Sequence, residues 1–345
     1  MDAAIDVLRK AIDLKPEYAG PHENLGVALG MKRQFVEAIE ELRKAIDLDP
    51  NSAQAHTDLG AVLVRQGQLS AGIEEHQRAI QLNPDHAQAH NNLGNAFKFR
   101  NEPDSAISEY HEAIRLNPRL AAPRFNLAQT LMDRGNFAEA LVHLRHGHEV
   151  SLRDRYFGRY PWADRLGECE RMLELDGKLA DVLAGEVQVA TAAERTEYAM
   201  LCYSKRLFAT SARFYTQAFT DEPQLAEDSE HPHRYRAACS AALAGYGQGE
   251  DAGVPELDDA ERRRLCQQAL AWLRADLARH ADALKSGKPK QRQFALTQLR
   301  HWLVDPDLAG VRDAGALANL PEAVQESWRK LWSNAAELLN ERSGQ

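Results

Sequence analysis

What this 345-residue sequence lacks excludes several classes of protein. It has four cysteines, and Cys169, Cys202, Cys239 and Cys266 lie far apart without a C-x-x-C pair. This spacing matches no zinc site or disulfide framework and suits a reducing compartment. The sequence also has no apolar run long enough for a signal peptide or a membrane span. We therefore expect a cytoplasmic protein that is not associated with a membrane.

Positive charge is also scarce. The sequence has 42 Lys and Arg residues against 51 Asp and Glu residues, which gives a net charge of −9. An acidic chain of this kind has no broad affinity for nucleic acid or for acidic membranes. One basic and aromatic stretch, RDRYFGRYPW at residues 153–162, has the composition of a segment that stacks on bases. We favour a linker whose aromatic residues pack on the protein, because the regular sequence pattern breaks there. No nucleic-acid partner is expected.

Catalytic motifs are missing as well. The sequence contains no G-x-S-x-G motif and no kinase-type HRD or DFG motif. Its Gly-rich fragment GQGEDAG follows no predicted strand, so it does not match a phosphate-binding loop. His143, His146 and His148 lie close together but lack a Cys or carboxylate at a familiar ligand spacing. The sequence thus predicts a chain that is not an enzyme and has no cofactor and no metal site.

What the sequence does contain is one phrase repeated four times. The segments AGPHENLGVA, AQAHTDLGAV, AQAHNNLGNA and AAPRFNLAQT begin at residues 19, 53, 87 and 121, each 34 residues after the last. Pro50, Pro84 and Pro118 keep the same period and end the second of two predicted antiparallel helices in each unit. Ala89 and Leu93 lie one helical turn apart, the spacing of an apolar helix face. Such a period is typical of a solenoid, whose units bury their apolar faces against their neighbours.

These units resemble tetratricopeptide repeats, with small residues at the close-packing positions, L-G in the first helix and Pro at the end. The resemblance covers residues 19–154 as four units and implies an all-α solenoid of helix pairs in a right-handed superhelix. The aromatic residue usual in the first helix is replaced by His22, His56 and His90, and then by Arg124. We expect these side chains to fill space rather than bind metal. Equivalent helices lie about 8–10 Å apart, whereas zinc needs each nitrogen within roughly 2 Å.

Residues 1–18 match the second helix of a repeat whose first helix is missing. We therefore expect either a piece of a longer protein or a helix that caps the array. In this helix Ile5, Leu8 and Ile12 form an apolar strip that has lost its usual partner. A partly exposed strip of this kind favours self-association through the N-terminal helix.

After residue 154 the strict period is lost. Residues 155–190 are expected to form an irregular linker and a helix, and residues 191–285 two degenerate helix pairs. Residues 286–345 are expected to form a helical cap. Trp302, Trp328 and Trp332 lie in this last segment, and their apolar rings favour a hydrophobic end to the solenoid.

A second resemblance covers most of residues 19–340. The runs AERTEYAMLCYSKRLFATSARFYTQAF, HRYRAACSAALAG and HWLVDPDLAGVRD are similar to the C-terminal tetratricopeptide region of large bacterial serine/threonine protein kinases, notably those of planctomycetes. The sequence has none of the kinase catalytic motifs, so the resemblance implies an interaction role. Two functions stay open: a non-catalytic scaffold that binds other proteins, or the substrate-docking part of a kinase or glycosyltransferase whose catalytic domain is not in this chain.

The residue before the repeated Leu indicates where a partner binds. In helix pairs of this type that position can face the concave groove, and here it is Asn24, Asp58, Asn92 or Asn126. An amide offers a donor and an acceptor to a peptide backbone, and repeats with Asn in this column resemble those of O-GlcNAc transferases, where such a ladder holds substrate chains. The predicted peptide-binding residues are Asn24, Gln54, Asp58, Arg65, Gln88, Asn91, Asn92, Asn95, Lys98 and Asn126. Because only two are cations, we expect an internal, extended segment rather than a C-terminal carboxylate.

Overall fold

The computed structural model describes residues 1–152, 160–228, 232–251, 257–286, 288–318, 320 and 322–343. Every regular element in these residues is a helix, so the all-α prediction is confirmed. The chain divides into two compact units, Met1–Glu170 and Arg171–Gln345. Across the described parts of the chain, none of the helices is both long and apolar enough to cross a membrane.

The first unit consists of antiparallel helix pairs. Its helices are α1 (Asp2–Leu14), α2 (Ala19–Met31), α3 (Phe35–Leu48), α4 (Ala53–Gln66), α5 (Leu69–Leu82), α6 (Ala87–Phe99), α7 (Pro103–Leu116), α8 (Ala121–Asp133) and α9 (Phe137–Leu152), and the unit ends within α10 (Trp162–Ala184). The pairs are α2 with α3, α4 with α5, α6 with α7, and α8 with α9. Helices α3, α5 and α7 each end two residues before Pro50, Pro84 or Pro118. The predicted helix breaks are therefore confirmed.

One left-handed residue joins the two helices of each pair in this unit. The residues are Arg33, Gly67, Asn101 and Gly135, 34 positions apart, with φ of 64°, 95°, 61° and 72°. Glycine adopts this region without a steric penalty, whereas a residue with a Cβ does not. The turn is thus a property of the repeat, and its residue type varies from pair to pair.

Small residues let the paired helices approach closely. A Cβ added to Gly60 would lie 2.7 Å from the ring of His76, and one added to Gly94 would lie 2.6 Å from the ring of Tyr110. Ala106, on the facing helix of the third pair, is fully buried. The positions that the 34-residue period keeps small are therefore ones where the two helices of a pair pack closely.

The N-terminal helix α1 packs against α2. Ile5 is only 4% exposed, and Leu8 and Ile12 are partly buried against the same apolar cluster. The prediction of a partly exposed strip is therefore wrong for Ile5. The physical reason is that α1 packs on α2 in the same way as α3 packs on α4, α5 on α6 and α7 on α8. The exposed apolar side chains of α1 include Val7 and Leu14.

The second unit repeats the helix-pair arrangement less regularly. Its remaining elements are α11 (Ala192–Ser204), α12 (Phe208–Asp221), α13 (Gln224–Glu227), α14 (His233–Gly245), α15 (Asp259–Lys285), α16 (Pro289–Trp302), a 3-10 segment (Pro306–Leu308), α17 (Ala309–Arg312), α18 (Ala314–Leu317) and α19 (Glu322–Ser343). Helix α11 pairs with α12 and α14 pairs with α15, as the sequence predicts for the two degenerate repeats.

Tryptophan rings form the core at the C-terminal end of this second unit. Trp302 and Trp328 are fully buried, and Trp332 is 8% exposed. Trp302 stacks on Tyr235 at 5.5 Å between ring centroids, and Trp328 stacks on Trp332 at 6.2 Å. The predicted tryptophan-rich cap is confirmed as a packed apolar layer.

Candidate peptide-binding face

The first helices of consecutive pairs lie side by side: α2 packs on α4, α4 on α6, and α6 on α8. Positions spaced four, three and four residues apart share one face of a helix. In α4 these positions hold Gln54, Asp58, Ala61 and Arg65. We call the corresponding residues of all four helices the first-helix face: Gly20, Asn24, Val27, Met31, Gln54, Asp58, Ala61, Arg65, Gln88, Asn92, Asn95, Phe99, Ala122, Asn126, Gln129 and Asp133.

The N-terminal part of this face carries exposed polar side chains. Asn24, Gln54 and Arg65 are exposed, whereas Asp58 is half-buried. The Asn24 side-chain amide donates to the backbone carbonyl of Gly20 at 3.0 Å, one turn back in its own helix. That bond leaves the side-chain oxygen of Asn24 available as an acceptor.

Asp58 is the acidic member of this face. The amide of Gln54 donates to its carboxylate at 3.0 Å. Burial raises the pKa of Asp58 to about 6, the hydrogen bond from Gln54 lowers it in part, and the negative charge of Glu23 raises it further. Asp58 therefore carries its negative charge at neutral pH and loses it under mildly acidic conditions.

Further along, the amides of α6 and α8 bind one another. The Asn126 amide donates to the side-chain oxygens of Asn91 and Asn95, at 3.0 Å and 2.9 Å. The oxygen of Asn95 also accepts from the Tyr110 hydroxyl at 2.9 Å. We call Asn91, Asn95 and Asn126 the amide network. It ties α6 to α8, so these groups are already used inside the protein.

Asn91 and Asn92 differ in what they can offer a partner. Asn91 is 3% exposed and donates to the oxygen of Asn92 at 3.2 Å. Gln88 donates to the same oxygen at 2.8 Å. Asn92 is half-buried, and its own amide hydrogens are the groups left for a ligand. Because Asn91 is buried, we do not expect it to contact a partner, although it is among the peptide-binding residues that the sequence predicts.

The two predicted cations do not act together. Lys98 donates to a carboxylate oxygen of Asp133 at 2.8 Å, and the other oxygen of Asp133 accepts from Gln129 at 3.0 Å. Arg65 lies on α4, one repeat earlier than Lys98. A clamp for a C-terminal carboxylate needs clustered, uncompensated cations, and this pair does not supply it.

Two apolar residues on the same face are not among the contact residues that the sequence predicts. Phe99 is 73% exposed and Met31 is 58% exposed, at the last position of α6 and α2. Both lie in the 34-residue column of Arg65, seven residues after the amide position, so two helical turns separate them from Asn92 and Asn24. That spacing was the signal that could have identified them.

Two family models match the chain over this region. The TPR repeat model matches residues 34–67 and 60–98, and the tetratricopeptide repeat model matches residues 94–144. Residues 34–144 are tetratricopeptide repeats. These matches concern the repeats alone, and the resemblance to kinase C-terminal regions stays a prediction.

Several solved structures are similar to the chain. The crystal structure of MamA has 28% identity, covers 44% of this chain and 89% of its own, and gives a TM-score of 0.39. YrrB, described as a TPR protein with an unusual peptide-binding site, is 18% identical. The match covers 63% of this chain and 92% of YrrB, with a TM-score of 0.37. The pilF protein of Pseudomonas aeruginosa is 19% identical. The match covers 64% of this chain and 91% of pilF, with a TM-score of 0.38. No curated protein matches the chain.

In the first three helix pairs the histidine column pairs with a glutamate column. His22, His56 and His90 are buried, and their Nδ1 atoms lie 2.6, 2.6 and 2.7 Å from carboxylate oxygens of Glu41, Glu75 and Glu109. The Nε2 atom of His90 lies 3.2 Å from the Pro84 carbonyl, and the corresponding His22 contact, to Pro16, is 3.1 Å. The rings fill space between helices, as predicted. Their glutamate partners, always 19 residues later, were not predicted.

The basic and aromatic stretch is described only at its end. Arg153, Arg155, Tyr156, Phe157 and Arg159 lie outside the described residues. The rings of Tyr160 and Trp162 pack against Phe125 of α8, at 4.9 Å and 5.1 Å between centroids. These two aromatic residues therefore pack on the last repeat, as the linker interpretation predicts.

Proposed function

We propose that the first-helix face binds an extended internal segment of another protein, and that the chain serves as a non-catalytic interaction scaffold. The observation that carries this proposal is the pairing of exposed apolar side chains with exposed amides on one face. Phe99 and Met31 supply apolar anchors, and Gln54 and Asn24 supply partners for a peptide backbone. The presence of tetratricopeptide repeats at residues 34–144 supports an interaction role.

The two kinds of contact contribute unequally. A neutral hydrogen bond contributes roughly 0.5–1.5 kcal/mol, whereas full burial of a Phe or Met side chain contributes about 1.5–3 kcal/mol. Micromolar affinity corresponds to about 8 kcal/mol. Met31 and Phe99 together with several amide bonds reach this range, and amides alone need many more contacts.

The charges of the face favour an internal segment. Asp58 lies beside Glu23 and keeps a negative charge at neutral pH, while Lys98 is neutralised by Asp133. A peptide carboxylate would be repelled by Asp58 and would find no cation cluster to bind it. A neutral or basic stretch of chain suits this surface better.

The decisive experiment compares two exposed apolar residues on different helices. A partner is first captured with the intact chain, and its affinity for variants is then measured by calorimetry. Phe99→Ala should weaken binding by about tenfold or more, the cost of losing one buried aromatic anchor. Val36→Ala is the matched control, because Val36 is 65% exposed but lies on the second helix α3.

Both substitutions replace exposed side chains, so helix content should not change. Full affinity in Phe99→Ala, together with weaker binding in Val36→Ala, would place the binding surface on the second helices and refute the proposal.

A further inference from the structure

A cluster of three possible metal ligands lies on the second helices, away from the first-helix face. His111 is on α7, and Glu139 and His143 are on α9. The Glu139 Oε1 atom lies 3.6 Å from His111 Nε2 and 3.9 Å from His143 Nε2. All three donor atoms lie within 4.8 Å of one another. The two imidazole rings meet edge to face, with centroids 5.6 Å apart.

We propose that His111, Glu139 and His143 bind one divalent transition-metal ion. Tetrahedral zinc with bonds of about 2.0–2.1 Å places its ligands roughly 3.4 Å apart. The Glu139 separations are already close to this value. The side chains of His111 and Glu139 are 47% and 42% exposed, so they can move to close the remaining gap. His143 is 14% exposed and provides the fixed ligand.

The carboxylate of Glu139 is already oriented for this role. Glu139 and His143 are four residues apart on α9 and therefore share one face of the helix. The Asn136 side-chain amide donates to Glu139 Oε2 at 2.7 Å, which leaves Oε1 as the atom nearest the two imidazoles. A hydrogen bond of this kind to the outer atom of a ligand fixes its orientation and is a regular part of metal sites.

The donor set selects a class of ion. Two imidazoles and one carboxylate suit Zn²⁺, Co²⁺, Ni²⁺ and Cu²⁺, whereas Mg²⁺ and Ca²⁺ prefer oxygen ligands alone. Three protein ligands leave a fourth position for water. The negative charge of Glu139 offsets the positive charge of Arg124, which acts electrostatically on His143 and opposes ion binding.

Two buried histidines of this unit, His22 and His90, are less suited to the role. In His22 and His90 both ring nitrogens already lie against a glutamate and a proline carbonyl. In the sequence His143 stands close to His146 and His148, on the same helix. The structure instead brings it to His111, 32 residues earlier, since α7 and α9 are the second helices of consecutive pairs.

A bound ion would link α7 to α9 and would bind the folded chain alone. Binding should therefore raise the unfolding temperature. The test uses the intact chain, freed of metal with a chelator, and titrates it with Zn²⁺ by calorimetry. We expect one saturable site, a higher unfolding temperature with Zn²⁺ and no response to Mg²⁺. Bound Co²⁺ should give the intense visible absorption of a tetrahedral site.

Variants locate the site. His111→Ala should abolish the saturable Zn²⁺ binding, and because His111 is exposed its removal should leave helix content unchanged. Asn136→Ala should weaken binding by about tenfold, as expected for loss of an orienting hydrogen bond. His146→Ala is the matched control, since His146 is exposed on α9 but outside the cluster.

Three outcomes would overturn the proposal. The first is no saturable Zn²⁺ binding by the parent chain. The second is binding that survives His111→Ala, and the third is binding that falls equally in His146→Ala; either would place the ion on other surface histidines.

Discussion

The Nδ1 atom of His90 lies 2.7 Å from a carboxylate oxygen of Glu109, and this contact joins the first and second helices of the third repeat. The hydrogen bond that the His90 ring donates to the Glu109 carboxylate raises the pKa of His90 above its usual range, although burial opposes it, and the Pro84 carbonyl adds to the increase. The protonated ring can donate to both partners at once. The pair therefore binds a proton more tightly in the folded chain than in the unfolded one.

The first prediction concerns the pH dependence of this pair. Because the folded-state pKa of His90 is raised, its contribution to stability is full below the unfolded pKa of about 6.5. That contribution is lost as pH rises through the folded-state pKa. Glu109→Gln should lower the free energy of unfolding by about 1 kcal/mol at pH 6 and by less at pH 8.5, a modest value because the carboxylate is partly solvated.

Urea unfolding at the two pH values measures this difference. Glu74→Gln, which changes an exposed carboxylate on α5, serves as the control and should have little effect at either pH. An equal loss at pH 6 and pH 8.5 in Glu109→Gln would show that the pair does not depend on protonation.

The second prediction concerns His76, which has the opposite linkage. Its ring is 1% exposed, and its Nδ1 atom has no hydrogen-bond partner in the described parts of the chain. Burial lowers the pKa of His76 to about 4. The contribution of the neutral His76 ring to the free energy of unfolding is therefore full above pH 6.5. As pH falls toward 4, roughly 3 kcal/mol of this contribution is lost.

Replacement of His76 by leucine should remove the unpartnered buried nitrogen and the loss of stability in acid. Leu42 and Leu144 occupy the same column of the repeat and are 0% and 1% exposed, so the site accepts leucine. We expect His76→Leu to raise the free energy of unfolding by about 1 kcal/mol at pH 7, because no buried polar atom is left unsatisfied. The gain should increase at pH 5. Thermal unfolding at both pH values provides the measurement, and a gain that does not grow in acid would contradict the assigned linkage.

The third prediction concerns the turn column. Arg33 has φ of 64°, in the column where Gly67 and Gly135 have 95° and 72°. A side chain in this region costs about 1 kcal/mol. Arg33→Gly should therefore stabilise the first unit by roughly 0.5–1 kcal/mol, and Gly67→Ala should destabilise it by a similar amount. Arg33→Ala retains the Cβ and is the control. If it stabilises as much as Arg33→Gly, the gain does not come from the backbone.

The sequence predicted the helices and their pairing because one period sets them. Any residue whose role recurs every 34 positions, such as Pro84 or Leu93, reveals that role by repetition. The 19-residue offset between His90 and Glu109 also recurs, but recognising it requires knowing how two helices cross. Contacts that do not repeat gave no signal. The Tyr235 hydroxyl contacts Asp305 in the second unit, 70 residues away, and no local pattern connects the two.

The prediction of Asn126 as a peptide contact meets a similar limit. Its position in the column suggested a free amide, whereas in the structure that amide donates to Asn91 and Asn95 of the preceding repeat. A side chain that faces a groove can also face the neighbouring helix, since consecutive first helices pack together. Only the positions of α6 and α8 decide between the two.

The fourth prediction separates stability from binding. Asn126→Ala removes a donor that two side-chain oxygens share, so it should lower the free energy of unfolding by about 1–2 kcal/mol. Gln54→Ala changes an exposed side chain and should alter stability by less than about 0.5 kcal/mol. Asn126→Asp should cost at least as much as alanine, because a carboxylate can only accept and would face the oxygens of Asn91 and Asn95.

Urea unfolding of the three variants decides the matter before any partner is added. If Asn126→Ala is as stable as the parent, the amide network contributes nothing and Asn126 is available to a bound peptide. If it is destabilised as expected, weaker partner binding in that variant would be an indirect effect of looser packing between α6 and α8, not the loss of a direct contact. Binding must then be attributed through Gln54 and Phe99, whose exposed side chains can be changed without disturbing the repeat.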